Sequence, residues 1–103
     1  MAYKLIITEH ATELLDELVY HLLYHLRNEQ AAKHLLDEID HIYDRLEDNP
    51  YQFPESRDSY LKKKGYREAI VTQMNYTVIF SVNMDSVNVM GVFHQLEDYR
   101  NKV

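Results

Sequence analysis

The chain has no cysteine, only two glycines and two prolines, and no apolar run near the roughly eighteen residues that a membrane-spanning helix needs. Without cysteine there is no disulfide framework, no thiol nucleophile and no thiolate metal site. Scarce glycine and proline beside 46% apolar residues exclude a disordered or low-complexity chain. A glycine-rich phosphate loop, a Gly-x-Ser-x-Gly elbow and a nucleotide-binding fingerprint are all missing. The N-terminus carries no apolar block of the signal-peptide kind. The expectation is a soluble, cytoplasmic protein with no membrane partner, folded as one domain over residues 1–103.

What is present is uneven in charge. The net charge is −6. Residues 1–54 hold four Lys/Arg against eleven Asp/Glu, whereas residues 55–103 hold seven against six. Within the second part Arg57, Lys62, Lys63, Lys64 and Arg67 cluster against only Glu55 and Asp58. An acidic back and a basic front follow.

Residues 62–100 organise the rest. Tyr76, Val78, Phe80 and Val82 alternate with Thr77, Ile79 and Ser81, a period of two in β-branched and aromatic residues that predicts a strand. Residues 66–72 and 87–93 predict two more, and the turn formers of Asn83-Met84-Asp85-Ser86 predict a hairpin between the last two. Three strands joined by short links form an antiparallel meander.

Ahead of them, residues 3–8 read as a strand. Thr8 is placed to cap a helix over about 9–27, with Ala11, Leu14, Leu15, Leu18, Leu22 and Leu26 at spacings of three and four. Asn28 is placed to cap a second helix ending near Asp48, where Asn49-Pro50 stops it. A link of one or two residues makes the pair an antiparallel hairpin. Residues 51–61 are read as a loop. The predicted fold class is α+β: N-terminal strand, helical hairpin and three-stranded meander, a two-layer sandwich of the β-α-α-β-β-β type.

This order resembles the RelE/ParE superfamily of bacterial type II toxins. The landmarks are the opening strand leading into Thr8-Glu9-His10-Ala11, Gln30-Ala31-Ala32 at the start of the second helix, the Asp48-Asn49-Pro50 stop, Phe53-Pro54, Gly65-Tyr66-Arg67, residues 75–80, and His94 followed by Glu97-Asp98-Tyr99. The resemblance implies a growth-arresting toxin neutralised by a cognate antitoxin. RelE-like members cleave mRNA on the ribosome. ParE-like members inhibit DNA gyrase and carry no catalytic set.

Metal-independent RNA cleavage needs a base for the 2′-hydroxyl, a cation for the charged phosphorane and an acid for the leaving oxygen. On the nuclease branch the resemblance assigns Arg67 to phosphate stabilisation, His94 to acid or base work and Tyr99 to base stacking or proton donation. Arg57, Lys62, Lys63 and Lys64 are the candidate RNA- and phosphate-binding residues, and Glu68 and Glu97 are further candidate bases. Each has a plainer reading: Arg67 as an ion-pair partner, His94 as a structural or antitoxin contact, Tyr99 as packing for the tail, the lysines as a solvated turn.

Ribosome-dependent mRNA cleavage is the leading expectation, with ribosome and mRNA as partners. The alternatives are gyrase inhibition and an antitoxin-binding module without toxicity. The acidic total departs from the basic character that RNA binding favours, and the long helical hairpin is like that of ParE-type members. His21 and His25 stand four apart, a spacing that can hold a metal. Leu22 occupies the place of the metalloprotease glutamate, and only His41 on the second helix offers a third ligand. No metal and no cofactor are expected. Tyr20, Leu23 and Tyr24 lie partly outside the apolar stripe, as extra core or as a contact for an antitoxin or a second copy, so a homodimer stays open.

Overall fold

A computed structural model describes residues 2–95 and 99–103. Strand β1 (Lys4–Ile7) leads into helix α1 (Glu9–Tyr20), which opens into a π-helical turn (His21–His25), and helix α2 (Glu29–Asp48) runs back. A 3-10 turn (Pro50–Gln52) and a short helix α3 (Ser59–Lys63) precede strands β2 (Tyr66–Ile70), β3 (Tyr76–Asn83) and β4 (Ser86–His94), and a 3-10 turn (Tyr99–Asn101) closes the chain. The four strands form one sheet in the order β1-β4-β3-β2. β2, β3 and β4 make the expected antiparallel meander, and β1 adds to the far side of β4 in parallel, Lys4 opposite Ser86 and Ile7 opposite Val89.

The helix starts follow from their caps. Thr8 Oγ1 accepts from Ala11 N at 3.1 Å and donates to the Val89 carbonyl at 2.9 Å. One hydroxyl thereby starts α1 and ties it to β4. Asn28 Oδ1 accepts from Ala31 N at 3.0 Å to start α2, just after Arg27, whose φ of 49° supplies the reversal between the two helices.

α1 and α2 cover one face of the sheet. Leu22, Leu35, Ile39, Ile42 and Leu46 bury against Val78, Phe80, Val87, Val89 and Val92, so the β3 face containing Tyr76, Val78 and Phe80 is the helix face as the alternation predicts. Burial of this apolar area is the dominant favourable term, at roughly 25 cal/mol per Å². The opposite face carries a smaller cluster in which Leu61, Ile79, Phe93 and Tyr99 pack with Leu14, Tyr66, Met90 and Val103. A register shift between Ile79 and Phe80 leaves Met90 as an extra residue in β4 and reverses its alternation there, so that Val87, Val89 and Val92 all join the helix-face cluster.

Three features differ from the sequence expectation. The first helix is not α-helical to residue 27. From His21 it widens, with Leu26 N bonding the His21 carbonyl five residues back at 3.1 Å, which rotates Leu26 out of the apolar stripe to 59% exposure. The segment expected as loop over 51–61 contains the 3-10 turn and the start of α3, which Asp58 caps by accepting from Tyr60 N and Leu61 N at 2.9 and 3.1 Å. β2 stops at Ile70, two residues early, because the chain turns there through Gln73 at a φ of 64°.

Candidate functional site

β2 sends alternate side chains to opposite faces. Arg67 and Ala69 go to the helix face, in register with Phe80 and Val78. Tyr66 and Glu68 go to the other. Most of the candidate site residues follow from this split.

Arg67 Nη1 donates to the Phe53 carbonyl at 2.6 Å, and its guanidinium lies over the Tyr51 ring at 5.0 Å. Its backbone bridges Glu55. The guanidinium therefore fastens the 50–55 segment to the sheet. His94 ends β4 opposite Tyr76, the two rings edge to face with centroids 5.6 Å apart, also on the helix face. Two strand spacings and four residues separate the Arg67 and His94 positions, roughly 16 Å between their Cα atoms.

Tyr99 is on the other face. Its ring stacks on Phe93 with centroids 5.5 Å apart and planes at 23°, so the plainer reading, packing of the tail onto the sheet, describes its ring. Burial, and next the charge of Glu68, push its phenol above the ordinary value of 10.0. That shift moves the group away from neutral pH and makes it a poorer proton donor.

A buried polar arrangement centres on Glu68. This carboxylate is 1% exposed. Oε1 accepts from Arg57 N at 2.6 Å and from Arg57 Nε at 3.1 Å, while Oε2 accepts from Thr77 Oγ1 at 3.1 Å. The charges of Glu68, Arg57 and Asp58 all act on the nearby Tyr99 phenol. Beside it, Arg100 donates to Asp58 at 3.0 Å through Nε, with a second guanidinium nitrogen also at 3.0 Å. The backbone hydrogen bond from Leu61 N, with the Arg100 bonds behind it, holds the Asp58 carboxyl below its ordinary value. This network joins α3, β2 and the C-terminal turn, and it satisfies the buried carboxylate with hydrogen bonds to both oxygens.

The structure thus brings Arg57, Glu68 and Tyr99 together and leaves Arg67 and His94 apart from them and from each other. Glu97 lies outside the described residues. Of the candidate phosphate-binding cations, Arg57 is committed to Glu68, Lys62 pairs with Glu55 at 3.7 Å, and Lys64 lies over the Tyr60 ring at 4.6 Å, a contact that raises its pKa. Lys63 is exposed at the end of α3. The sequence carried one readable signal of the network, a glutamate within a predicted strand, at a position alternating with Arg67 and Ala69. Its hydrogen-bond partners, Thr77 and Arg57, stand 9 and 11 residues away on another strand and in the loop before α3, and no periodicity connects them.

The acidic back is the solvent side of the helical hairpin, and its tip exposes Tyr20, Tyr24 and Leu26. Leu23 is only half-buried against the core. No helix among the described residues is long and apolar enough to cross a membrane.

Residues 5–99 match the family profile described as the ParE toxin of type II toxin–antitoxin systems, parDE. The chain belongs to the ParE toxin family. It is a toxin of the type II toxin–antitoxin class within the RelE/ParE superfamily. Among solved structures, the chromosomal ParDE toxin–antitoxin system of P. aeruginosa contains a chain that superposes with a TM-score of 0.71 at 17% identity, over 90% of this chain and 96% of that one. The RelBE2 toxin–antitoxin complex of Mycobacterium tuberculosis contains one at 0.60 and 15% identity, over 94% and 95%. ParE and RelE toxins share this fold, so the fold is neutral between their activities. A search of curated proteins returns no match.

Proposed function

We propose that this ParE-family toxin acts by binding its target and not by cleaving RNA, with DNA gyrase as the target and a cognate antitoxin as its neutralising partner. The observation that carries this reading is the separation of the three nuclease candidates. Phosphoryl chemistry needs its cation, base and acid within reach of one phosphate. Here the Cα atoms of Arg67 and His94 stand roughly 16 Å apart on the helix face, and Tyr99 is packed on the other. Arg57 and Lys62, which would have to neutralise phosphates, are paired with Glu68 and Glu55, and the chain as a whole carries −6. The ParE profile and the long helical hairpin support the same branch. The antitoxin is carried over from the neighbours, both solved as toxin–antitoxin systems.

The test is made with purified toxin in two assays run side by side: supercoiling by DNA gyrase, and integrity of an mRNA translated on ribosomes. Inhibited supercoiling with intact mRNA, unchanged in Arg67→Lys and His94→Ala, is the expected result. Cleaved mRNA whose cleavage is lost in either variant would overturn the proposal and restore the ribosome-dependent nuclease. Inactivity in both assays would leave an antitoxin-binding module and would equally sink it.

A further inference from the structure

We propose that His21 and His25 form a chelating site for a transition-metal dication of the zinc, nickel or copper class at the tip of the helical hairpin. Their Nδ1 atoms face each other at 3.3 Å, with ring centroids 5.2 Å apart and planes at 70°. Two nitrogens 3.3 Å apart, each bonded to zinc at about 2.0–2.1 Å, subtend roughly 107° at the metal. That is close to the tetrahedral angle.

Both histidines lie within the π-helical turn. In an α-helix four residues overshoot a full turn by roughly 40°. The wider turn closed by the bond from Leu26 N to the His21 carbonyl lowers the rotation per residue, and His21 and His25 stay on one side of it with their Nδ1 atoms 3.3 Å apart. The Tyr20 ring meets His25 edge to face at 5.9 Å, which orients the ring without supplying a ligand. Both histidines are exposed, so a hydrated cation reaches them directly.

The protein supplies two ligands and water the others. His41, the third ligand suggested by sequence, lies instead 4.0 Å from Glu38 on its own helix, and no group of three or more His, Cys, Asp or Glu residues with metal-binding geometry occurs among the described residues. A two-histidine site of this kind is reversible and leaves open coordination positions. Without metal, one Nδ1 must carry a proton to bond the other. Chelation by both Nδ1 atoms moves that proton to Nε2 of the same ring, through solvent, so both imidazoles become neutral Nε2–H tautomers.

The experiment uses the full chain, without an affinity tag, titrated with Zn²⁺ by calorimetry and followed by nitrogen NMR of the histidine rings. One zinc per chain is expected, with His21 and His25 both shifting to the Nε2–H pattern. His21→Ala and His25→Ala should each weaken binding by at least about tenfold, while His10→Ala leaves it unchanged; circular dichroism checks that all three variants stay folded. Wild-type affinity in both His21→Ala and His25→Ala, or zinc perturbing other histidines in place of these two, would overturn the proposal. The outcome is independent of which macromolecule the toxin inhibits.

Discussion

Glu68 occupies a strand position whose register partner is Ile79 and whose neighbours on that face are Leu61 and Phe93. The buried carboxylate there is accommodated by hydrogen bonds from Arg57 to one oxygen and from Thr77 to the other. Glu68→Ala would leave the Arg57 backbone N–H without its acceptor and open a gap beside Thr77. The expected loss is about 2–3 kcal/mol in chemical denaturation, below the range for breaking a fully buried pair because Arg57 remains 57% exposed. A change under about 0.5 kcal/mol would show that the network is ornamental. Gly91 faces the opposite problem, one of space. A Cβ there would sit 2.5 Å from Phe93 Cζ and 2.9 Å from Leu14 Cδ1. Phe93 is fully buried and has little room to retreat, so Gly91→Ala should cost about 1–3 kcal/mol by overpacking. Thermal unfolding compared with wild type measures it, and an unchanged midpoint would mean that the ring swings aside freely.

At the scale of elements, α3 hangs on a single cap. Asp58 holds its first turn and also receives Arg100 from the C-terminal turn. Because the folded carboxyl lies below its ordinary value of 3.8, its contribution is complete above that value and is lost as pH falls through the lower folded one. Acid unfolding of Asp58→Asn should therefore show a shallower fall in stability below pH 3.8 than wild type. Identical acid profiles would remove Asp58 from the account. The two long helices, their caps and the meander were legible in the sequence because each is a local pattern repeated over many residues. α3 was not, since five residues give no measurable period. The π turn was hidden for a similar reason: Leu22 and Leu26 keep helical spacing in the sequence, and only the backbone shows that Leu26 has rotated outward. Of the candidate site, Arg67, His94 and Tyr99 could be named from resemblance. Their division between two faces depends on strand register, which the sequence leaves open until β2 is paired with β3.

Over the whole molecule, the nine tyrosines are distributed from open surface to core, and an alkaline absorbance titration reads them together. Burial, helped by the nearby Asp40 charge, pushes Tyr43 up to about 12, and burial also raises Tyr76. The anionic form is disfavoured only in the folded protein, so stability is expected to decline as pH rises from the ordinary value of 10.0 towards 12. Tyr43→Phe should delete the last step of the absorbance titration. Survival of that step would reassign it to another tyrosine.

The parallel pairing of β1 with β4 sets the first residues of the chain against nearly the last: Lys4 N bonds the Asp85 carbonyl at 2.8 Å. Order of synthesis and order of assembly therefore run in opposite directions. A nascent chain halted before Ser86 has no strand on which to lay Lys4–Ile7, and it leaves Leu5 and the inner side of α1 without their β4 partners. Long-range closure of this kind makes the finished fold a late event in translation. The sheet of the toxin closes only after Ser86–Val89 has been made.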